Sequence, residues 1–503
     1  MSGFAVSYGR DDGTSVTTML KKVAHRGNYL ENVSTRGKAI LGQNYLRADT
    51  HGAAKDATIP VTEGDLSICY DGQINDCRDL CQKFGVSEGP FMEERLVLHL
   101  YRKYKTDMFQ YLNNAIFAFV ITDGETLFAA RDVLGIKTLF YAQDGQGLIL
   151  ASELKSIAEI TENMFEFPCA HYMDETGKDT RYGAVSPDVT YWEKDVDSMT
   201  QEIRDLIDKH IQSTVDFACP TAGLLSGGMD SSVINFIASK LYKQKFGEDK
   251  KLKTFSIGVG ESGDIQNARL MSAFIDSEHY EIQVTIDDLI NALPDVIYYL
   301  ENFDPSLVRS SVANYLISSY AAKEHGIEVL LSGEGGDEIF CGYTYLKDVP
   351  YEEMVKKQIE CLGYLHNNAS HRLDHMNQCN SVKVVAPLIS GELLDYALKI
   401  PPQYKQKESG DTRIEKWIFR KAYEGILPQE ITDRLKQEFS QGSGSAGVLP
   451  EYFENKVSDA EFNEAKAKHP LLRSKEEYYY FKLFTEYFGE ASAVGTVGQW
   501  VAI

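Results

Sequence analysis

Long apolar stretches, a secretory start and an excess of positive charge are all absent from this sequence of 503 residues. No uninterrupted apolar run approaches about 18 residues, so we expect no membrane-spanning helix. The start, MSGFAVSYGRDDG, has no basic segment and no apolar core, which predicts that no secretory signal is present. The net charge of -23 argues against nonspecific binding to nucleic acids or membranes, so we expect neither as a partner.

Cysteine is sparse and shows no spacing typical of a zinc site or of a secreted disulfide framework. The eight cysteines are scattered, and only Cys77 and Cys81 lie close together in the chain. We therefore interpret them as reduced thiols, most of them buried for packing, in a protein of the cytoplasm.

The length and the patterning predict two domains, 1–190 and 191–503, because 503 residues are many for one core. Before 190, short alternating strands with Gly and Asp turns predominate. The connection VSPDVTYWEKDVDSM is polar and contains proline, as is typical of a boundary. Beyond it, helices alternate with buried strands until about 340, and the rest is expected to be helical.

The stretch LLSGGMDSSV (224–233) predicts a strand-to-helix turn that binds phosphate. Two leucines are typical of the end of a buried strand, and apolar residues from Val233 onward recur at helical spacing. Gly227 and Gly228 can adopt backbone angles that other residues avoid. The unpaired N–H groups at the helix start favour an anion, so the turn resembles a phosphate cradle.

The acid in this turn indicates a cation beside the phosphate. Asp230 would repel a bare phosphate, and the lysine of a kinase-type phosphate loop is missing. A carboxylate next to polyphosphate is reasonable if Mg²⁺ lies between them. The stretch IEVLLSGEGGDEIFCGY (327–343) repeats the design, with Asp337 in its turn. Two parallel strands that end this way place both acids at one edge of an α/β sheet, and LKTFSIGVG (252–260) predicts a third buried strand there.

Together these motifs resemble the asparagine synthetase family. SGGMDSS is similar to the SGGxDSS loop of ATP pyrophosphatases, and LLSGEGGDEIFCGY, ENFDPSLVRSSVANYLIS and RIEKWIFRKAYEGILPQEITDRLKQEFSQG are similar to later family segments. In the first part, HRGNY, YDGQIND, ARDVLGIKTLFY and ASELKSI resemble the family's glutaminase domain. The resemblance covers nearly the whole chain.

The resemblance implies a fold of two parts. The first is an α+β glutaminase sandwich (αββα) of the Ntn-hydrolase type, also described as a type 2 glutamine amidotransferase domain. The second is an α/β ATP-pyrophosphatase domain with a PP-loop and a helical C-terminal part. ATP and Mg²⁺ are the implied cofactors, and a homodimer is one possible assembly.

The resemblance also implies a set of site residues. Glu334 matches the general base, Lys436 the cation that neutralises the α-phosphate, and Ser2 the position of the glutaminase nucleophile. Asp230 and Asp337 match the metal-binding carboxylates, and Asp337 is also placed at the substrate with Ser306 and Arg309, the arginine expected to pair with a substrate carboxylate. The residues expected to bind ATP or pyrophosphate are Leu225, Ser226, Gly227, Gly228, Asp230, Ser231, Ser232, Ser256, Ile257, Ser332 and Gly333.

The glutaminase positions depart from the family pattern. Serine is a far weaker nucleophile than the cysteine expected at position 2. Tyr45 falls on the arginine that would clamp the glutamine carboxylate, and Asp71 on the asparagine that would donate to the oxyanion. Gln73 replaces a glutamate, and Glu93 an aspartate that would receive the glutamine ammonium. We therefore expect this domain to be inactive and to serve as a structural cap or docking surface.

A second departure lies in HRLDHMNQCNSVKVVAPLIS (371–390). Lys383 falls on a family glutamate, Val385 and His375 on arginines, and Ser390 on an aspartate. If the segment orders the surface between domains, these changes fit a chain that no longer passes ammonia from a first active site. If it shapes the acceptor pocket, the substrate differs from aspartate.

Three functions remain open at this point. The first is an ATP-dependent ligase that converts aspartate through β-aspartyl-AMP to asparagine, with AMP and pyrophosphate released and free ammonia as the nitrogen source. The second is a ligase of the same type that joins another acid to another amine; relatives that form β-lactams carry tyrosine where this chain has Glu334. The third, a catalytically silent regulator or scaffold, fits poorly with the intact acids in both turns.

Overall fold

A computed structural model describes residues 2–10, 13–260, 262–436, 439–442 and 444–499. Every candidate site residue is among them. The segment RLKQEFS, which carries Lys436, continues into Gln437 and Glu438, and these two lie outside the described residues.

The first part of the chain forms two six-stranded sheets in which every neighbouring pair of strands is antiparallel. The first has the order β10-β8-β9-β1-β3-β2 and the second the order β12-β11-β7-β6-β5-β4. The strands are β1 Ser2–Tyr8, β2 Leu30–Arg36, β3 Ala39–Tyr45, β4 Val61–Glu63, β5 Leu66–Ile74, β6 Ala115–Thr122, β7 Leu127–Arg131, β8 Phe140–Asp144, β9 Gly147–Ala151, β10 Phe165–Glu166, β11 His171–Asp174 and β12 Asp179–Arg181.

The two sheets pack face to face, with helices on their outer faces. In β6, Phe117, Phe119 and Ile121 pack under the helices while Ala118 and Val120 face the other sheet, as the two-residue period of a strand requires. The helices are α1 Gly13–Lys22, which covers the first sheet, α2 Cys77–Phe84 and α3 Met92–Tyr104, which cover the second, and the short α4 Leu154–Ala158. The predicted αββα sandwich is confirmed.

The second part contains a five-stranded parallel sheet of order β15-β14-β13-β16-β17. Both glycine turns follow neighbouring strands, so their acids meet at one sheet edge as predicted. The three-residue strand β17 lies in a stretch expected to be helical; its two buried valines extend the sheet beside β16. The strands are β13 Thr221–Leu224, β14 Lys253–Val259, β15 Glu278–Val284, β16 Val329–Leu331 and β17 Lys383–Val385, followed by the hairpin β18 Lys407–Ser409 and β19 Thr412–Ile414.

Helices surround this sheet and form most of the C-terminal part, as predicted. In the part of the chain that the structure describes, none is long and apolar enough to cross a bilayer. They are α5 Val196–Thr214, α6 Met229–Phe246, α7 Gly263–Ile275, α8 Ile286–Leu300, α9 Pro305–His325, α10 Gly336–Phe340, α11 Met354–Gly363, α12 Ala369–Gln378, α13 Gly391–Leu398, α14 Pro402–Lys405, α15 Trp417–Tyr423, α16 Gln429–Thr432, α17 Phe439–Gly442, α18 Ser445–Lys456, α19 Asp459–Lys468 and α20 Lys475–Phe488.

Short 3₁₀ helices complete the chain; they lie at Ala24–Arg26, Arg47–Asp49, Lys105–Tyr111, Thr344–Asp348, Tyr351–Glu353, Leu365–Asn367 and Ser492–Thr496. Between Arg181 and Val196 the chain forms no helix or strand, and every residue of that stretch is described. The expected boundary at 190 falls in this connection and stays an interpretation.

Candidate active site

A cavity of about 210 Å³ lies at the carboxyl edge of the parallel sheet. It is open to solvent on one side and is lined by the two glycine turns, the end of β14, and residues from α9, α12 and the segment before α17. Ligand sites of open α/β sheets lie at this edge. Its volume is far larger than that of the other cavities described below.

The first turn and the start of α6 line the cavity together. Gly227 has a φ of +68°, and a Cβ there would lie 2.3 Å from the carbonyl carbon of Asn267. The expectation of unusual angles is wrong for Gly228, whose φ of -75° suits any residue. Ser226 and Ser231 hold the turn together through their hydroxyl groups, which are 3.1 Å apart. Residues 228–231, at the start of α6, line the cavity, and the unpaired N–H groups of a helix start favour an anion.

The second turn packs directly on the first. A Cβ on Gly333 would lie 2.5 Å from the backbone nitrogen of Ser231 and 2.6 Å from the carbonyl carbon of Asp230. Only a residue without a side chain permits this approach. The contact brings Asp230 and Asp337 to the same place although 107 positions separate them in the chain.

Two lysines lie against these two carboxylates. The Lys416 ammonium is 2.5 Å from Asp230 Oδ2 and 2.7 Å from Asp337 Oδ1, and Lys436 Nζ is 2.5 Å from Asp337 Oδ2. Burial alone would raise the pKa of Asp337, but both ammonium groups outweigh it and hold that pKa well below its ordinary value. Burial opposes the charge of Lys436, yet Asp337 and Asp230 raise its pKa above the ordinary value. At neutral pH Asp337 and Lys436 are therefore ions.

The carboxylate pair suits a magnesium ion that is shared with phosphate. Asp230 Oδ1 is buried and has no hydrogen-bond partner in the described structure, so one oxygen remains for a ligand. No cluster of three or more potential metal ligands occurs among the described residues. Mg²⁺ commonly binds one or two carboxylates and takes its other ligands from phosphate and water. The residues present thus fit Mg²⁺ only together with a polyphosphate.

Glu334 lies in the same cavity, in the second turn. Its Oε2 accepts a hydrogen bond from the guanidinium of Arg372 in α12, and its backbone N–H lies 3.2 Å from Ser332 Oγ. Behind it, Glu338 is buried and accepts a 2.5 Å hydrogen bond from the hydroxyl of Tyr343. Burial, Glu334 and Asp337 raise the pKa of Glu338 to about 7.

Most of the expected residues line this cavity. They are Leu225, Ser226, Gly228, Asp230, Ser231, Ser256, Ile257, Ser306, Ser332, Gly333, Glu334, Asp337 and Lys436. Gly227 and Ser232 are not among the lining residues. Ser232 is fully buried, so its expected contact with ATP does not fit this geometry.

Arg309 is also outside the lining, and its guanidinium binds another side chain. Its Nε donates to Glu476 Oε1 at 2.9 Å, and Nη2 donates to Glu476 Oε2, which makes a bidentate ion pair between α9 and α20. This pairing occupies the fork expected to bind a substrate carboxylate. Arg372 is the arginine that reaches the cavity beside Glu334.

Sequence analysis missed Lys416, Arg372 and the pair of Arg434 with Asp264, whose atoms are 2.5 Å apart. Lys416 lies in RIEKWIFRK, which resembles a family segment, but the resemblance gives this lysine no role. Two carboxylates that lie close together need cations to offset their charge, so the acids of the two turns were the sequence signal for nearby cations. Lys416 has a φ of +55°, an unusual angle for a lysine, at the start of α15.

The first domain has its own small pocket at Ser2, with a volume of about 10 Å³. This is space for about one water molecule. The hydroxyl of Ser2 donates to the carbonyl of Tyr70 and accepts from Gln43 Nε2 at 3.0 Å. Tyr45 fills the pocket wall and packs against Phe91 with ring centroids 5.3 Å apart.

The other glutaminase positions are also engaged. Asp71 accepts from the backbone N–H of Ser2 at 3.0 Å and from Arg26 at 2.9 Å. Glu93 accepts from the Tyr70 hydroxyl at 2.8 Å. Gln73 does not line this pocket; its amide donates to Asn75 at 2.8 Å.

The departing segment 371–390 lies at the boundary between the domains. Lys383 pairs with Asp49 at 3.0 Å, His375 Nε2 lies 3.4 Å from the hydroxyl oxygen of Thr138, and the Ser390 hydroxyl donates to Asn114 at 3.1 Å. Val385 is buried in the core of the second domain. None of these four departing residues is among those lining the 210 Å³ cavity. The four departing residues therefore lie outside the cavity, while Arg372 of the same segment lines it, so both alternatives stay open.

All eight cysteines are free thiols. Five are buried, Cys77 and Cys81 have their sulfur atoms 3.9 Å apart, and none lines either pocket described above. The interpretation of cysteine as a packing residue fits this placement.

Known proteins resemble this chain over almost its full length. The asparagine synthetase [glutamine-hydrolyzing] of Gallus gallus is 28% identical over 97% of this chain and 94% of its own. Asparagine synthetase B [glutamine-hydrolyzing] of Escherichia coli K12 is 31% identical over 80% of this chain and 75% of its own. Asparagine synthetase [glutamine-hydrolyzing] 1 of Saccharomyces cerevisiae is 29% identical over 96% of this chain and 92% of its own.

Family profiles divide the chain in the same way as the structure. Residues 1–180 match the glutamine amidotransferase domain, and residues 202–360 and 347–500 match asparagine synthase. These matches cover both the sandwich and the phosphate cavity. The chain therefore belongs to the asparagine synthase family and is an ATP-dependent, amide-forming ligase that carries a glutamine amidotransferase domain.

Proposed function

We propose that the protein joins ammonia to a carboxylic acid that it first activates as an acyl adenylate, with aspartate as the acid and asparagine as the product. The observation that carries this is the presence of Glu334 in the same cavity as Asp230, Asp337, Lys416 and Lys436. A phosphate-binding cluster and a carboxylate base in one cavity suit activation and amide formation in sequence. The names of the relatives support aspartate as the acid.

Activation depends on the cluster of charges at the two turns. The start of α6 and the two lysines bind the polyphosphate of ATP and orient the α-phosphate toward the acid. Asp230 and Asp337 would hold Mg²⁺, which would supply positive charge against the phosphates. Lys436 offsets charge at the α-phosphate as the acid oxygen bonds to phosphorus and pyrophosphate leaves.

Amide formation depends on Glu334. Ammonia attacks the activated carbonyl carbon, its nitrogen becomes positively charged, and the Glu334 carboxylate accepts one proton from it. The acyl–oxygen bond to AMP then breaks, and the amide and AMP are the products. The hydrogen bond from Arg372 holds Glu334 in place for this step.

Free ammonia is the proposed nitrogen source. A pocket of about 10 Å³ leaves no room for glutamine, and the Ser2 hydroxyl is engaged with Tyr70 and Gln43. The Asp71 carboxylate, bound to Arg26, offers no donor to an oxyanion. The same features favour a structural role for the first domain.

We place the protein in the cytoplasm.

One observation favours a second candidate, a ligase for a different acid. Aspartate has a second carboxylate that needs a cation, and the expected Arg309 is paired with Glu476. In this case Arg372, beside Glu334, would bind a distal group of the acid that differs from the second carboxylate of aspartate.

A product assay tests the proposal. Purified protein with ATP, Mg²⁺, ammonium and aspartate should form AMP, pyrophosphate and asparagine in equal amounts. ADP formed in step with product would refute activation by adenylation. A panel of other acids under the same conditions tests the second candidate, because a better acid than aspartate would yield faster pyrophosphate release while AMP remains the nucleotide product.

A further inference from the structure

The small pocket of the first domain contains a residue of the second domain. Lys383 lies in β17, and its ammonium reaches Asp49, with Nζ 3.0 Å from Oδ1 and 3.4 Å from the carbonyl oxygen of Ala48. Its side chain is 14% exposed. The pocket is closed around it, since only about 10 Å³ of space remains.

The wall of this pocket is rich in acids. Asp49, Glu93 and Glu94 line it together with Lys383 and His51. Burial opposes the charges of Asp49 and Glu93, yet the pKa of each lies below its ordinary value, because Lys383 lowers that of Asp49, and His51, followed by Lys383, lowers that of Glu93. Burial and Glu93 raise the pKa of Glu94 to about 7. Without Lys383 these buried carboxylates would lose one of the cations that offset their charge, which is costly.

We propose that the pocket of the first domain is a binding site for a primary ammonium group, and that the ammonium of Lys383 is its resident ligand. The second domain thereby occupies the pocket in place of a diffusible molecule. The ligand class is a straight-chain primary alkylammonium of three or four carbons, because this matches the lysine side chain beyond its Cβ. Bulkier or uncharged molecules lack either the fit or the charge.

The strand that carries Lys383 also connects the pocket to the phosphate cavity. β17 pairs with β16, and the backbone N–H of Ser332, which lines that cavity, donates to the carbonyl of Val385 at 2.9 Å. The lysine in the pocket therefore anchors the strand that supports the second glycine turn. The assignment stands whether or not the acid substrate is aspartate, since it concerns binding in the first domain.

Replacing the lysine tests the assignment. Lys383→Ala removes four heavy atoms that propylammonium restores. By calorimetric titration, Lys383→Ala should bind propylammonium chloride, the wild type should not because its site is filled, and the double variant Lys383→Ala/Asp49→Asn should bind at least about tenfold more weakly. Tetramethylammonium and propanol, which lack the N–H donors or the charge, should not bind.

Thermal stability provides a second test of the assignment, with a matched control variant. Lys383→Ala should lower Tm by about 5 °C, and propylammonium should recover most of that loss. Arg47→Ala removes a neighbouring ion pair between the domains, with Glu328, that is largely exposed. Its Tm should change little and should not respond to propylammonium. Equal responses of the two variants, or no binding by Lys383→Ala, would overturn the assignment.

Discussion

At the residue scale, Asp337 links the groups that the proposed activation step needs. It contacts Lys416 at 2.7 Å and Lys436 at 2.5 Å, and with Asp230 it forms the candidate magnesium pair. Asp337→Asn and Asp230→Asn should each lower the rate of pyrophosphate release by at least about 100-fold, because charge stabilisation at the phosphate is lost. Unchanged release in either variant, measured with a coupled pyrophosphate assay, would refute the magnesium assignment. The exposed Asp348→Asn in the same region is the control.

Glu338 is a second side chain with a testable effect, here on how the stability of the protein depends on pH. Its pKa is raised from 4.5 to about 7, first by burial and then by Glu334 and Asp337. Between these values the folded protein holds a proton that the unfolded chain has lost. The associated stability is fully present below pH 4.5 and is lost as the pH rises through about 7.

Glu338→Gln should remove this dependence, because the amide stays neutral and still accepts the hydrogen bond from Tyr343. Relative to the wild type, the variant should gain roughly 1 to 3 kcal/mol of stability between pH 5.5 and pH 8.5. Denaturant unfolding at both pH values measures the gain. The exposed Glu352→Gln should show no such trend; a parallel pH dependence of Glu338→Gln and wild type would contradict the assignment.

At the element scale, the site depends on two turns that fit against each other. Gly333→Ala places a methyl group 2.5 Å from the backbone of Ser231, so one turn must move away from the other. We expect KM for ATP to rise or kcat to fall so that kcat/KM drops by about 10- to 100-fold, with a smaller loss of stability. Gly363→Ala, where a Cβ meets nothing within 4 Å, is the control; steady-state kinetics that leave both variants alike would count against the interlocked turns.

Elements with a strong local pattern could be predicted, and contacts between distant segments could not. The strands before both glycine turns followed from apolar runs, and their adjacency from the rule for parallel sheets. β17 has three residues and exists because β16 offers it a partner, so its local pattern was too short. Lys416 lies 186 positions from Asp230, and Arg309 lies 167 positions from Glu476. Local sequence carries no sign of such pairings.

At the scale of the whole molecule, a chain of contacts connects the two pockets through buried charges. Ser2 binds Asp71, Asp71 lies 3.4 Å from Lys137, and Lys137 lies 2.8 Å from Asp374 in α12. Arg26 joins Asp71 to Asp374 as well, at 2.9 and 2.7 Å. A side chain of the same helix, Arg372, then reaches Glu334. The first domain thus supports the helix that positions the proposed base while its own pocket is closed.

At the same scale, the closed pocket of the first domain supports the proposal that the protein uses free ammonia and not glutamine. Ammonium chloride should support amide formation, and glutamine should support none, with no glutamate produced. Activity should rise as the pH climbs toward about 9, because more ammonia is then un-ionised and Glu334 accepts its proton. Amino-acid analysis of parallel reactions with either nitrogen source measures both products.

Restoring the nucleophile alone should not change this result. In Ser2→Cys the thiol gains reactivity, but Tyr45 and Asp71 still leave no clamp and no oxyanion donor, and the 10 Å³ pocket still has no room for glutamine. Glutamate formation should therefore stay below about one hundredth of the ammonium-dependent rate in both proteins. Glutamine that supports product as well as ammonium does, in the wild type, would mean that the first domain opens and hydrolyses it, since the described pocket has no space for the reaction.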